Sequence, residues 1–188
     1  MRYMCTKVAT KPLIPAKTDL TILVILEDSH FYQEQIEYCG EGGNSMKTIT
    51  REQFIEELRT WIGTPFHHQG RWKGLGVDCA GLVVMPLADL GVKEVLKADN
   101  RTYKHRPGHQ LLLERLLMIA DEIPASEIQP GDIMAFTIYK YPQHLAIKSY
   151  GDKVIHVTED RGVLEEELSD MWKKRLVGAF RLKCFKEG

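Results

Sequence analysis

Three residues in this 188-residue sequence carry the means for nucleophilic chemistry: Cys79, His144 and His156. A cysteine attacks as its thiolate, and a thiol in the first turn of a helix sits where unpaired backbone amides and the helix dipole favour the anion. Cys79 follows Asp78, a helix-capping residue type, and opens the apolar run Cys79-Ala80-Gly81-Leu82-Val83-Val84-Met85, so it is predicted to hold that place. Its own amide would then face an oxyanion. The glycines before it (Gly63, Gly70, Gly74 and Gly76) let backbone and substrate approach closely. The two imidazoles supply the rest, one taking the proton and the second orienting the first, in a Cys79–His144–His156 relay. Plainer readings stand beside this one. Cys79 also suits a small core position, and the histidines suit a solvated strand face. One Cys with two His is also the donor set of a catalytic zinc site, although no close-spaced pair such as H-E-x-x-H or C-x-x-C is present.

The elements that must position these residues are legible in the patterning. Leu145 and Ile147 alternate with His144 and Ala146, and Ile155 and Val157 alternate with Val154 and His156. A hairpin turning at Tyr150-Gly151-Asp152 that buries the four aliphatic residues on one face puts both histidines on the other. As direct or diagonal partners their Cβ atoms lie within about 4.5–8 Å. Upstream, Thr50-Arg51-Glu52-Gln53 is a capping box, and Phe54, Ile55, Leu58, Trp61 and Ile62 form an amphipathic stripe ended by Gly63 and Pro65. The helix after Asp78 is expected to kink or divide at Pro86. Residues 92–107 read as irregular, and Gln110–Ala120 reads as a Leu-rich core helix closed off by Pro124.

Beyond that helix, Gln129–Asp132 is a turn, Ile133–Ile138 a strand, Leu168–Arg175 a short acidic helix and Val177–Leu182 the last strand. Trp61 and Trp172 read as packing residues and Glu165-Glu166-Glu167 as a solvated face. Helices first and strands afterwards give an α+β fold, with N-terminal helices packed on a central antiparallel sheet.

Composition narrows the function classes. Apolar residues make up 44% and charged residues 27%, the profile of a folded chain of one domain plus an extension. With 25 Lys plus Arg against 26 Asp plus Glu the net charge is −1, which offers no bulk attraction to nucleic acid or an anionic membrane. The longest apolar run, Thr21–Leu26, is far below the roughly 20 residues of a bilayer span, and Glu27-Asp28-Ser29-His30 follows it where a secretory signal needs a cleavage site. Synthesis in the cytoplasm without a signal peptide is the expectation. The four cysteines are too scattered for a disulfide framework. Residues 1–45, ending in the linker-like Glu41-Gly42-Gly43-Asn44-Ser45, read as an N-terminal extension, one reading of it being upstream sequence not translated natively, and residues 46–188 as the domain proper.

Taken together, Val77-Asp78-Cys79-Ala80-Gly81-Leu82-Val83, Gln129-Pro130-Gly131-Asp132-Ile133, His144-Leu145-Ala146-Ile147 and Ile155-His156 resemble the NlpC-type cell-wall cysteine peptidases. Trp61-Ile62-Gly63-Thr64-Pro65-Phe66 and Gly70-Arg71-Trp72-Lys73-Gly74 resemble the branch found in phage and prophage tails. The resemblance implies a papain-like α+β fold and hydrolysis of peptidoglycan stem peptides, commonly between D-γ-glutamyl and diaminopimelate or lysine. It further implies Cys79 as nucleophile, His144 as base and His156 as third polar residue, without metal or cofactor. The implied partners are the stem peptide and other phage tail proteins, and the implied place of action is a virion tail or the cell wall. Phe66 stands where many members have a Tyr, and Ala80 replaces a frequent Ser. Phe66, His68, Arg71, Trp72 and Asp78 are the candidate substrate contacts, with Arg71 and Lys73 facing stem-peptide carboxylates or simply forming a solvated basic loop. Two rivals remain: a structural tail protein with a weak or inactive site, and an amidase or acyltransferase using the same relay.

Overall fold

The computed structural model describes residues 47–100, 110–138 and 141–186, so the extension expected over residues 1–45 lies outside it. Helix α1 (Arg51–Arg59) starts at the capping box, with Gln53 N–H donating to Thr50 Oγ1 and Thr50 N–H to Gln53 Oε1. Phe54, Ile55, Leu58 and Trp61 are buried. Ile62, the last residue of the expected stripe, is exposed because the helix has already ended at Arg59. A two-stranded ribbon follows, β1 (Arg71–Trp72) and β2 (Gly76–Val77), leading into helix α2 (Cys79–Asp89). That helix runs unbroken through Pro86, contrary to the expected kink or division. Its residues from Gly81 to Val84, with Pro86 and Leu87, are buried, so packing holds the helix where proline removes one backbone donor.

The segment expected to be irregular contains a 3₁₀ helix, Lys93–Ala98, burying Val95, Leu96 and Ala98. Helix α3 (Gln110–Ile119) is followed at once by strand β3 (Ala120–Ile123), where the sequence reading had the helix end and no strand. The remaining strands are β4 (Ile133–Ile138), β5 (Tyr141–Lys148), β6 (Lys153–Thr158), β7 (Gly162–Glu167) and β8 (Leu176–Leu182), with helix α4 (Asp170–Lys173) before the last. They form a six-stranded antiparallel sheet in the order β3-β8-β4-β5-β6-β7. This is an α+β fold. Among the described residues no helix is long and apolar enough to cross a membrane.

Alternation along the strands sorts side chains between the two faces of the sheet. Ile133, Ala135, Leu145, Ile147, Ile155 and Val157 share one face and are buried. The pairs Phe136↔His144, Met134↔Ala146, Val154↔Glu166 and His156↔Leu164 share the other. That second face is not solvated. Met134, Phe136, Ala146, Val154 and Leu168 form an apolar cluster there, with Trp172 and Leu176 packed against it, so both histidines sit inside a protein layer.

Candidate active site

The Cys79 side is built from the loop before α2. Asp78 caps the helix, its Oδ1 accepting from Gly81 N–H at 2.8 Å. The same oxygen accepts from Arg71 Nη1 at 2.8 Å, and Oδ2 accepts from the backbone N–H of Gln69 at 2.8 Å. Arg71 continues to Asp99, with Nη2 and Nε at 2.8 and 3.0 Å from Oδ1. Arg71 is 2% exposed, so this is a sealed cluster with two carboxylates around one guanidinium. Gly81 is required by the same packing, because a Cβ there would lie 2.6 Å from the Gly70 carbonyl oxygen. Cys79, first residue of α2, is thereby fixed at the helix start, half-buried, with its Sγ 3.9 Å from the Gln143 carbonyl oxygen on β5.

The histidine side is built from the sheet. His144 Nε2 lies 3.0 Å from His156 Nδ1, and His156 Nε2 lies 2.9 Å from Glu166 Oε1. Trp172 roofs both rings, stacked on His144 at 5.1 Å between centroids and edge-on to His156 at 5.9 Å. It is a packing residue, as its sequence context suggests, but what it packs on is the histidine pair.

Burial sets the proton states on both sides. Desolvation pushes the Cys79 thiol up to about 12, with the neighbouring Asp78 charge adding to it, against smaller opposing effects of the Leu145 and Ala80 amides and of Arg71. Desolvation likewise pulls His144 down to about 3, followed by repulsion from His156. A thiolate prepared by the helix start is therefore not what this environment favours. Burial of the sulfur and the adjacent capping carboxylate both act against the thiolate.

Cys79 and His144 line one cleft of about 400 Å³. Phe66, His68 and Asp78 border it, as do Gln143, Thr158 and Trp172. A further wall comes from α3 through Leu111, Leu112, Arg115, Leu116 and Ile119, joined by Val83 and Val84 of α2. Thus the leucine-rich helix, read as core, is in part a cleft wall, with Leu116 and Ile119 buried while Leu117 and Met118 are exposed. Arg71 and Trp72 are not on the cleft. Arg71, expected to meet a substrate carboxylate, is spent on Asp78 and Asp99, and Trp72 lies in the two-stranded ribbon opposite Gly76. Asp78 touches the cleft, but all its described contacts serve to hold the loop and helix. Lys73 pairs with Glu57 and Thr60.

Two residues of the site escaped the sequence reading. Glu166 sits in a run of three glutamates that reads as a solvated face, yet strand alternation turns it to the histidine face while Glu165 turns the other way to Arg59 and Ser149. The signal was available in principle, since extending the hairpin register across the Asp160-Arg161-Gly162 turn puts Glu166 diagonal to His156. Arg115 had no local signal. The zinc alternative does not fit, because the Nε2 of His144 and the Nδ1 of His156 are turned on each other and the remaining nitrogen of His156 on Glu166, leaving no common point for one ion.

The NlpC/P60 family profile matches residues 63–181, more than half of the chain. The chain belongs to the NlpC/P60 family. Among solved structures it is similar to the NlpC/p60 domain of the peptidoglycan hydrolase SagA, at 17% identity over 71% of this chain and 100% of that one, with a TM-score of 0.51. An NLP/P60-family protein similar to lipoprotein from Staphylococcus aureus Mu50 matches at 21% identity over 78% of this chain and 46% of that one, with a TM-score of 0.53. An NlpC/P60 protein from Bacillus cereus ATCC 10987 matches at 20% identity over 74% and 42%, also with a TM-score of 0.53. The chain thus spans less than half of the last two. At such identities the likeness is one of fold. No curated protein sequence matches the chain.

Proposed function

We propose that this NlpC/P60 protein is a cysteine peptidase that hydrolyses peptidoglycan stem peptides. The observation that carries the reading is a thiol at a helix start and an imidazole hydrogen-bonded to a second imidazole, both opening on one cleft. The Cys79 proton passes to His144 as sulfur bonds to the substrate carbonyl carbon, so the ion pair forms only as the bond does. The Cys79 amide, first in its helix and without an intrahelical acceptor, donates to the developing oxyanion. His144 then gives its proton to the amine as the C–N bond breaks. Water attacks the thioester with His144 as base, releasing the acid and restoring the thiol.

The finer reading follows the resemblance and the cleft. The scissile bond is the one between D-γ-glutamyl and diaminopimelate or lysine, and the protein acts at a phage tail where the wall is breached. Phe66 and His68 border the substrate, and Arg115 takes over the carboxylate contact first expected of Arg71. Arg115 stands on the apolar α3 wall with no carboxylate partner among the described residues, only the Met118 sulfur at 4.0 Å. Purified sacculi digested with the protein should release stem-peptide fragments whose masses identify the bond, and Cys79→Ala should release none. Absence of fragments from wild type overturns the peptidase reading and leaves a structural tail protein, whereas fragments that persist with Cys79→Ala overturn Cys79 as the nucleophile. Products joined to an added amine instead of water would make it an acyltransferase.

A further inference from the structure

Past His156 the chain of hydrogen bonds continues to the rim of the sheet. Glu166 Oε1 meets His156 Nε2 at 2.9 Å, and Arg161 grips the same carboxylate, Nη1 at 2.7 Å from Oε2 and Nη2 at 3.2 Å from Oε1. A carboxylate without a proton only accepts, so the hydrogen in its bond to His156 belongs to Nε2. In the neutral ring Nδ1 is then a bare acceptor. The bond to His144 at 3.0 Å accordingly takes its hydrogen from His144 Nε2. Once that nitrogen carries the one proton of the neutral ring, Nδ1 of His144 is a lone pair.

We propose that Glu166, braced by Arg161, is a positioning residue that sets the tautomer of the base through His156, so that His144 presents an unprotonated Nδ1 to the thiol. Sequence alternation supplies the placement, since Glu166 faces the histidines only because β7 pairs with β6 in the register Val154↔Glu166. The charged groups around His156 oppose one another, Glu166 favouring its charged form and Arg161 disfavouring it. Glu166 is faced by Arg161 and His156, and the Arg161 guanidinium, followed by His156, holds its carboxyl below the ordinary range, so it stays an acceptor. His156 is faced by Glu166, Arg161 and His144, while Trp172 adds cover without charge. A donor in place of Glu166 would reverse every bond in the series and put a proton on His144 Nδ1, where it blocks the thiol.

The inference deepens the peptidase reading and rests on it for its catalytic consequence, but the tautomer itself can be read without substrate. Nitrogen-15 NMR of the imidazoles in the full chain should show both histidines as the Nε2–H tautomer. Glu166→Ala should give a mixture in both rings and lower kcat on the order of 10- to 100-fold with KM little changed, the range seen when an orienting partner outside the direct contacts is lost. Glu166→Gln, whose amide oxygen can still accept, should restore the wild-type tautomer and most of kcat. Glu166→Lys should move the proton to Nδ1 of His144. The Glu166 side chain is 28% exposed at the sheet margin, so the lysine fits and provides the reading if the alanine variant does not fold. Rings unchanged in both Ala and Lys variants overturn the assignment whatever the activity. Rings that respond as expected while wild type releases nothing from sacculi support the tautomer assignment and overturn the peptidase reading alone.

Discussion

On one side of the cleft Cys79 is held by a buried cluster, Arg71 with Asp78 and Asp99, in which the guanidinium side chain is 1% exposed; on the other His144 is held by a series of groups that ends in solvent, with Arg161 52% exposed. The first arrangement fixes position. Its side chains are almost wholly buried and paired with one another, so it contributes rigidity to the Asp78–Gly81 cap. The second fixes position and proton together, because each bond in it has a direction set by the carboxylate at its end. The difference is one of kind: steric and electrostatic support for the Cys79 sulfur, hydrogen-bonded support for the His144 imidazole.

Breaking the sealed side should have the largest effect. Arg71→Met leaves Asp78 and Asp99 buried without their cation and should cost about 3–5 kcal/mol of stability, measured by denaturant unfolding. Adding Asp99→Asn should recover part of it. A loss below about 1 kcal/mol would mean that the cluster opens to water and the contrast between the two sides is false. Next is the pH response. With the thiol pushed up to about 12 and His144 pulled down to about 3, kcat/KM should be flat through the ordinary values of 6.5 and 9.0, where a preformed ion pair would place its limbs. The stability sign follows from the same shifts. Between about 6.5 and 3 the unfolded chain binds a proton that buried His144 refuses, so stability falls as pH drops through that window. An acid limb of activity near 6.5 would show that the base is hydrated in solution. The smallest effect belongs to the neighbouring glutamate. Arg59→Gln removes the partner of Glu165 at the sheet surface, should cost less than about 1 kcal/mol, and should leave kcat unchanged, in contrast to Glu166 one residue along.

Much of the frame was legible because its signals are local. The capping box at Thr50 and Gln53, the cap at Asp78 and the alternation around His144 and His156 depend on residues a few positions apart, and each recurs in the structure with its hydrogen bonds. What was missed depends on partners far along the chain. Strand β3 exists because Ala120–Ile123 pair with residues 179–182 of β8. Strand β7 is an edge strand whose run of three glutamates hides its alternation. Pro86 was read by its local cost, which burial on the surrounding core outweighs. Arg71 was read by its charge in a glycine-rich loop, and nothing near it in sequence reveals Asp99, 28 positions on.

By itself the sequence determined which atoms are available for chemistry and which strand face each histidine takes, since capping and side-chain alternation are fixed by covalent geometry and nearest neighbours. Only the tertiary structure decided that the histidine face is buried under Trp172, that Glu166 completes the series and Arg71 is sealed away, and that burial works against the Cys79 thiolate. Those outcomes turn on desolvation and on contacts between distant segments, and both come into being when the sheet, the helices and the loop close on one another.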